Sequence, residues 1–378
     1  MADPERLAAV RLHLTSGIGP RLYTTLVEHF GSAQAAAEAP ASALAEVHGI
    51  GRDRAGAWRD AIAQADPQAE LERARTAGVT VLVRGEAAYP AGLGYMVDPP
   101  IVLYVKGTIE PEDAQAITLV GMRKCSLYGQ EQAERLAGGL ARAGFTVVSG
   151  LARGIDSAAH RGALAAGGRT LAVLGNGLGT VYPPENARLA QAVVERGALL
   201  SEFPMAVGPA PENFPRRNRI LAALALGTVV VEAGRKSGSL ITARLAMESG
   251  KDVFAVPNRI DAPGAAGVHA LLRDGAKLVE SVTDILDEYP DLDLAAPPAD
   301  DEGRQQTLAL KANLSPQEAR LMEVLDGDPV SVDVLSERSG LPAGQASGAL
   351  TLLELKGLVR ALPGGRFARR HPNGPQRD

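Results

Sequence analysis

Six short aliphatic runs, each followed by an amphipathic stretch, constrain this chain more than any other feature. They are Ile117–Val120, Phe145–Ser149, Thr170–Leu174, Ala198–Ser201, Thr228–Glu232 and Asp252–Val256. Runs that stay apolar on both faces belong to strands covered on both sides, as in a parallel sheet. Helical patterns begin near Ser126, Asp156, Glu185, Arg217 and Ser239, in the gaps between the runs. Strand and helix in alternation predict an α/β, doubly wound sheet with right-handed crossovers. Aromatic residues are only 4 % of the chain, so the core between these layers must be aliphatic.

The flanks differ in period. Residues 1–78 are helical, and within them two segments echo each other: Gly17-Ile18-Gly19 and Val47-His-Gly49-Ile50-Gly51. A Gly-Ile-Gly between two helical patterns reads as a helix-hairpin-helix unit, in which glycine allows the turn and the isoleucine plugs the helix pair. Amides at the following helix start can hold a phosphate, although acids exceed bases in this region. Residues 79–286 hold two short strand candidates, Val79–Val83 and Ile101–Val105, and then the doubly wound part. An acidic, proline-bearing linker follows over 287–312. Residues 313–370 read as three helices and a two-stranded ribbon, a winged helix. Its first helix carries a capping box, Ser315 with Glu318 around Pro316.

Ligands of a doubly wound sheet bind beyond the carboxyl ends of its strands. The segments there are Gly121-Met122-Arg123-Lys124-Cys125-Ser126, Ser149-Gly150-Leu151-Ala152-Arg153-Gly154, Gly175-Asn176-Gly177-Leu178-Gly179, Phe214-Pro215-Arg216-Arg217-Asn218-Arg219 and Gly234-Arg235-Lys236-Ser237-Gly238. Nearly every one joins glycine to Arg, Lys, Ser or Asn, which is the chemistry of an anion-binding edge. Phe214 beside three arginines suits base stacking, or else packs against the Pro204–Pro211 loop. The Arg216–Arg219 run is either a solvated charged turn or an anion site opening a helix. Asp156 and His160, four apart, are better explained as a helix cap and a packed histidine than as an acid/base pair. Cys125 lacks a neighbouring base in sequence. The chain has no G-x-x-x-x-G-K-[ST] segment, no H-E-x-x-H and one cysteine, so it offers no P-loop, zinc site or disulfide framework.

These residues carry a resemblance. Val120-Gly-Met-Arg123, Tyr128-Gly129, Ser149-Gly-Leu-Ala-Arg-Gly-Ile-Asp156 with His160, Gly175-Asn-Gly177, Tyr182-Pro183, Phe214-Pro-Arg-Arg-Asn-Arg-Ile220, Ser237-Gly-Ser-Leu-Ile-Thr-Ala243 and Ala255-Val-Pro257 resemble the DprA/Smf family in order and spacing. The resemblance implies a Rossmann-like domain between a SAM-like helix-hairpin-helix domain and a winged helix. It implies a non-enzymatic, cofactor-free, cytoplasmic protein of natural transformation that binds and protects incoming single-stranded DNA and loads RecA recombinase onto it. Single-strand-binding protein would be displaced or accommodated, and a homodimer is implied. The single-strand pocket would involve Gly121, Arg123, Ser149, Gly150, Arg153, Gly175, Gly177, Arg216, Arg217, Asn218, Arg219, Lys236, Ser237 and Gly238, with Phe214 added on physical grounds. Met122 stands where the family has a small residue, and His269 where asparagine is frequent. The alternative is a nucleotide-binding or nucleotide-processing enzyme, since fold does not fix function. Duplex DNA could be held by the helix-hairpin-helix or the winged helix.

A net charge of −5 and a pI near 5.8 look unfavourable for a polyanion partner. The average conceals a division: residues 114–286 hold 19 basic and 14 acidic groups, a net of +5, while the acids concentrate in the flanks. No apolar stretch reaches the ~20 residues that span a bilayer, so no membrane partner is expected.

Overall fold

A computed structural model of the chain describes residues 3–292, 314–325 and 329–369. Nine strands form one sheet: β1 Thr80–Val83, β2 Val102–Gly107, β3 Ala116–Val120, β4 Thr146–Ser149, β5 Thr170–Val173, β6 Gly197–Ser201, β7 Gly227–Val230, β8 Asp252–Ala255 and β9 Lys277–Leu278. Their order is β1-β2-β6-β5-β4-β3-β7-β8-β9. From β6 to β9 all neighbours are parallel, and β1 and β2 add an antiparallel edge beyond β6. The winding runs one way from β3 to β6 and the other from β7 to β9. The switch point therefore lies between β3 and β7, where the loops leaving adjacent strands diverge and open a crevice. All six predicted runs became strands; β9, at two residues, is too short to leave a periodic signal.

Helices cover both faces. The closest pair is Leu127–Arg142 with Ile155–Ala165, where a Cβ on Gly162 would lie 2.2 Å from the Glu134 carbonyl oxygen. In the N-terminal region Ile18 and Ile50 are both buried, at 5 % exposure each, between their helix pairs. Gly17 and Gly49 precede them at φ +89° and +85°, where a side chain would be strained. These helices share one apolar core with a face of the sheet that includes Tyr104, Leu151 and Leu199. Glu70 Oε1 accepts the Met205 amide at 2.7 Å, fixing the helical region to the loop after β6.

The C-terminal region is a winged helix with its own core. Helices Pro316–Val324, Val332–Ser339 and Ala343–Leu355 precede the ribbon Val359–Leu362 and Arg366–Arg369, and Val330–Ser331 adds a third strand. The Ser315–Glu318 capping box is present in both directions. The expected linker begins too early. Residues 287–292 pack on the sheet: Tyr289 Oη donates to Asp252 Oδ2 at 3.0 Å, and its ring stands edge-on to Phe254. Residues 293–312 lie outside the described residues.

Candidate functional site

The switch-point crevice holds a cleft of about 500 Å³, lined by Arg123, Tyr182, Phe214, Asn218 and Ile241 and roofed by Pro209–Pro211. Its wall is aromatic and cationic at once. The Arg123 guanidinium lies 4.6 Å from the centre of the Phe214 ring, and Tyr182 packs beside that ring at 6.1 Å and 47°. Phe214 reaches this position because Gly175 has no side chain; a Cβ there would come within 2.9 Å of the ring. Gly154, at φ +75°, brings the loop after β4 against the Met122 carbonyl oxygen, 2.3 Å from where a Cβ would stand. Arg123, Arg216, Lys236 and Gly238 are exposed on this edge, and Ser237 is half-buried. Arg216 also stacks over Phe203 at 5.0 Å.

Other expected site residues are engaged within the protein. Ser149 is fully buried and its hydroxyl donates to the Leu119 carbonyl at 2.6 Å. The Gly177 amide donates to the Val207 carbonyl at 2.8 Å and so holds the loop after β6. Gly121 packs against Ile155, with no room for a Cβ. Asn218 Nδ2 donates to the Gly238 carbonyl at 3.2 Å, joining the helix to the loop after β7. Arg219 is paired with Glu202 and donates to the Asp98 carbonyl. Arg153 is exposed but paired with Glu185. Arg217 is 4 % exposed, lies under Gly150 and donates to the Val173 carbonyl.

The reason is register. The helix starts at Asn213, four residues before the expected start at Arg217. The Arg216–Arg219 run therefore occupies the second turn and is no longer at a helix N-terminus, so adjacent residues point to opposite environments. The helix after β3 starts where expected, with Ser126 as its N-cap, but its anion comes from within the protein. Glu232 accepts the Ser126 amide at 2.9 Å and the Ser126 hydroxyl, so the N-terminus of Leu127–Arg142 already has an anion. No local pattern reveals this long-range cap, whose partners are 106 positions apart.

The titratable groups near the edge are locked. Thr170 Oγ1 donates to the Val147 carbonyl at 2.7 Å, so it accepts from His160 Nδ1, also at 2.7 Å. The Leu151 amide donates to His160 Nε2 at 3.3 Å, which fixes the neutral Nδ1–H tautomer. Burial, with Arg217 and Arg161 adding to it, pushes this histidine down to about 3. Asp156 stands in the first turn of Ile155–Ala165, accepts the Ala152 amide at 3.4 Å and is raised by burial, against the pull of Arg217. Cys125 is pushed up to about 11 by burial and Glu232, and is a thiol at neutral pH. Among the described residues no group of three or more acids, histidines or cysteines could hold a metal ion.

A histidine with a depressed folded pKa stabilises the fold fully above its unfolded value of 6.5. That contribution is lost as pH falls from there toward 3. At pH 5 this one residue should cost about 2 kcal/mol relative to neutral pH. Thermal melting at the two pH values checks it; an unchanged melting temperature would contradict the neutral, enclosed imidazole.

Fold and site together define a class: a three-module, Rossmann-like protein with a cationic, aromatic cleft at its switch point. The family described as DNA recombination-mediator protein A matches residues 80–290, the DprA winged helix domain 295–365, and the SAM-like helix-hairpin-helix tandem 12–64. The chain belongs to the DNA recombination-mediator protein A family, which the sequence resemblance named as DprA/Smf. Protein Smf of Escherichia coli is 43 % identical over 289 residues, covering 73 % of this chain and 74 % of that one. Protein Smf of Synechocystis is 33 % identical and covers 98 % of this chain and 100 % of its own. The crystal structure of DNA processing protein A from Streptococcus pneumoniae superposes with TM-score 0.67 at 34 % identity, over 76 % of this chain and 98 % of that one. A Helicobacter pylori DNA processing protein A, solved for its single-stranded DNA binding mode, gives 0.51 at 28 % identity, over 56 % and 96 %.

Tyr182, Ile241 and the Pro209–Pro211 roof were not expected in the site. Tyr182 could have been found, since Tyr182-Pro183 already stood among the family motifs. Ile241 likewise stood within the Ser237–Ala243 motif, whereas the roof has no local signature and meets the cleft only through the fold.

Proposed function

We propose that this chain binds single-stranded DNA across the switch-point cleft and acts as a recombination mediator in natural transformation. The observation that carries the reading is the Arg123–Phe214–Tyr182 wall beside exposed Arg216 and Lys236. A strand with unstacked bases needs a π-face and nearby cations, and a duplex offers its bases to neither. Arg123, Arg216 and Lys236 contact phosphates, Ser237 and Gly238 line the path, and Phe214 stacks a base. Ser149, Gly150, Gly175, Gly177, Arg217 and Arg219 shape the wall from behind. The H. pylori relative, described by its single-strand binding mode, supports the same ligand here. Protection of the strand, delivery to RecA, a cytoplasmic setting and a homodimer complete the proposal.

The winged helix is better suited to protein than to DNA. Its helix Ala343–Leu355 has no basic residue and exposes Leu352 and Leu355 at 52 % and 80 %. The nucleotide-processing alternative gains no support from His160, whose two nitrogens are engaged, or from Cys125, which is protonated.

Titration of the intact protein with single-stranded and duplex DNA over a salt series tests the reading. Three phosphate-facing cations predict a log–log salt slope of about −2, at roughly −0.7 per contact. Single strands should bind at least tenfold tighter than duplex of the same length. Equal affinity for both, or a flat salt response, would reject the cleft as the DNA site.

A further inference from the structure

The loop from Glu202 to Glu212, between β6 and the helix Asn213–Leu224, contains no helix or strand. It supplies the Pro209–Pro211 roof of the cleft and, near its start, Phe203, on which Arg216 lies. From Ala206 to Glu212 every residue is exposed or half-buried. Met205, 2 % exposed, is thus the last residue the core holds before the roof. A segment with so little buried apolar surface is placed mainly by hydrogen bonds to its backbone.

Four such bonds surround Met205. Its amide donates to Glu70 Oε1 at 2.7 Å. Its carbonyl accepts the Gly179 amide at 3.1 Å, the Val207 carbonyl accepts the Gly177 amide at 2.8 Å, and the Val207 amide donates to the Pro204 carbonyl at 2.9 Å. The last three join loop to loop. Only the bond to Glu70 reaches a helix, Pro67–Thr76 of the N-terminal region.

Glu70 is 3 % exposed, and a buried carboxylate is costly unless its oxygens are engaged. Oε2 accepts from Arg73 at 2.7 Å and Oε1 from Met205. The helix does not need this acid as a cap, because Asp66 already accepts the Ala69 amide at 3.0 Å. The bond to Met205, across 135 positions, therefore serves the loop and not Glu70's own helix.

We infer that Glu70 is a positioning residue for single-strand binding: from the helical region, its carboxylate holds the Met205 amide and so sets both the roof of the cleft and the surface under Arg216. This rests on the single-strand reading above, and gives the helical region a part in it that needs no DNA contact of its own. Without the bond, the Met205 N–H is buried and unpaired, and is relieved only when the loop moves toward water. Phe203 and the roof lie on either side of Met205, so both shift with it.

The test titrates the intact protein with an oligothymidylate over a salt series, for the parent, Glu70→Ala and Glu70→Gln, beside hydrogen exchange read by mass spectrometry. Glu70→Ala should bind about tenfold more weakly. Its log–log salt slope should be shallower by about 0.7, the share of the one phosphate contact that Arg216 makes. A partly unfolded protein binds less but keeps the slope of its folded fraction, so the slope separates positioning from lost stability. Exchange should quicken at least tenfold over residues 203–212 and 177–179 and keep the parent's rate in β3 and β4. Glu70→Gln retains an oxygen acceptor for the Met205 amide and should bind within threefold of the parent. Glu70→Asp withdraws the acceptor by one methylene, should change affinity and slope in the same direction as alanine, and takes its place should the alanine variant not fold. Parent-like affinity in Glu70→Ala, or a loss with unchanged slope and faster exchange throughout, overturns the positioning role and leaves the single-strand reading standing. A parent without single-strand preference overturns the reading on which the role rests.

Discussion

Replacing Arg123 and Phe214 together by alanine should weaken single-strand binding by about two orders of magnitude. Base stacking on an aromatic ring contributes about 1–3 kcal/mol, and a charged hydrogen bond to phosphate about as much. Each single variant should lose about thirtyfold, so that the double loses less than the product of the two. The two side chains are in contact at 4.6 Å, so their effects should not add: without the ring, Arg123 loses the surface that orients it. Arg123 is exposed, and its replacement should leave the melting temperature within about 2 °C of the parent. Fluorescence anisotropy on all four members of the cycle gives the coupling directly. A double variant that still binds within threefold of the parent would remove the aromatic–cationic wall from the site.

Arg217→Ala should fail for a different reason than Arg216→Ala, although the residues are adjacent. Arg217 is buried, lies under Gly150, and offsets the burial of Asp156. Removing one member of a buried pair of opposite charges leaves the other uncompensated, at about 3–5 kcal/mol. For a domain of this size that is a fall of roughly 6–20 °C in melting temperature. Arg216 is exposed on Phe203, so its alanine variant should melt like the parent and lose only affinity and salt dependence. Calorimetry beside a salt titration separates the two. Equal melting temperatures for both variants would contradict the inward course of Arg217.

The same pair of residues shows how far the sequence reached. Clustered arginines beside Phe214 mark a segment that lies on the switch-point edge. Which arginine faces solvent depends on where the helix begins, and a start at Asn213 leaves Arg216 exposed and Arg217 buried. Helix starts are set by capping, and here the N-cap Glu212 makes no side-chain bond that a sequence pattern would reveal. Ser149, Gly177 and Arg219 are likewise bonded within the protein. Their polar groups are engaged by carbonyls or carboxylates from other strands and loops. Ser126 was correctly placed at a helix start, but the anion there is Glu232, 106 positions away in the chain.

What the sequence determined by itself was everything with a local period or a local rule. The aliphatic runs fixed a buried parallel sheet, the Gly-Ile-Gly echoes fixed two helical hairpins, and the Ser315–Glu318 box fixed the first helix of the winged module. The uneven charge placed the cationic part between acidic flanks. Only the tertiary structure decided the order of strands, and with it the switch point between β3 and β7 where loops distant in sequence meet. It alone decided which polar groups are satisfied inside and which remain for a ligand. Hydrogen bonds between strands and loops form across long sequence separations, and no periodicity along the chain encodes their partners.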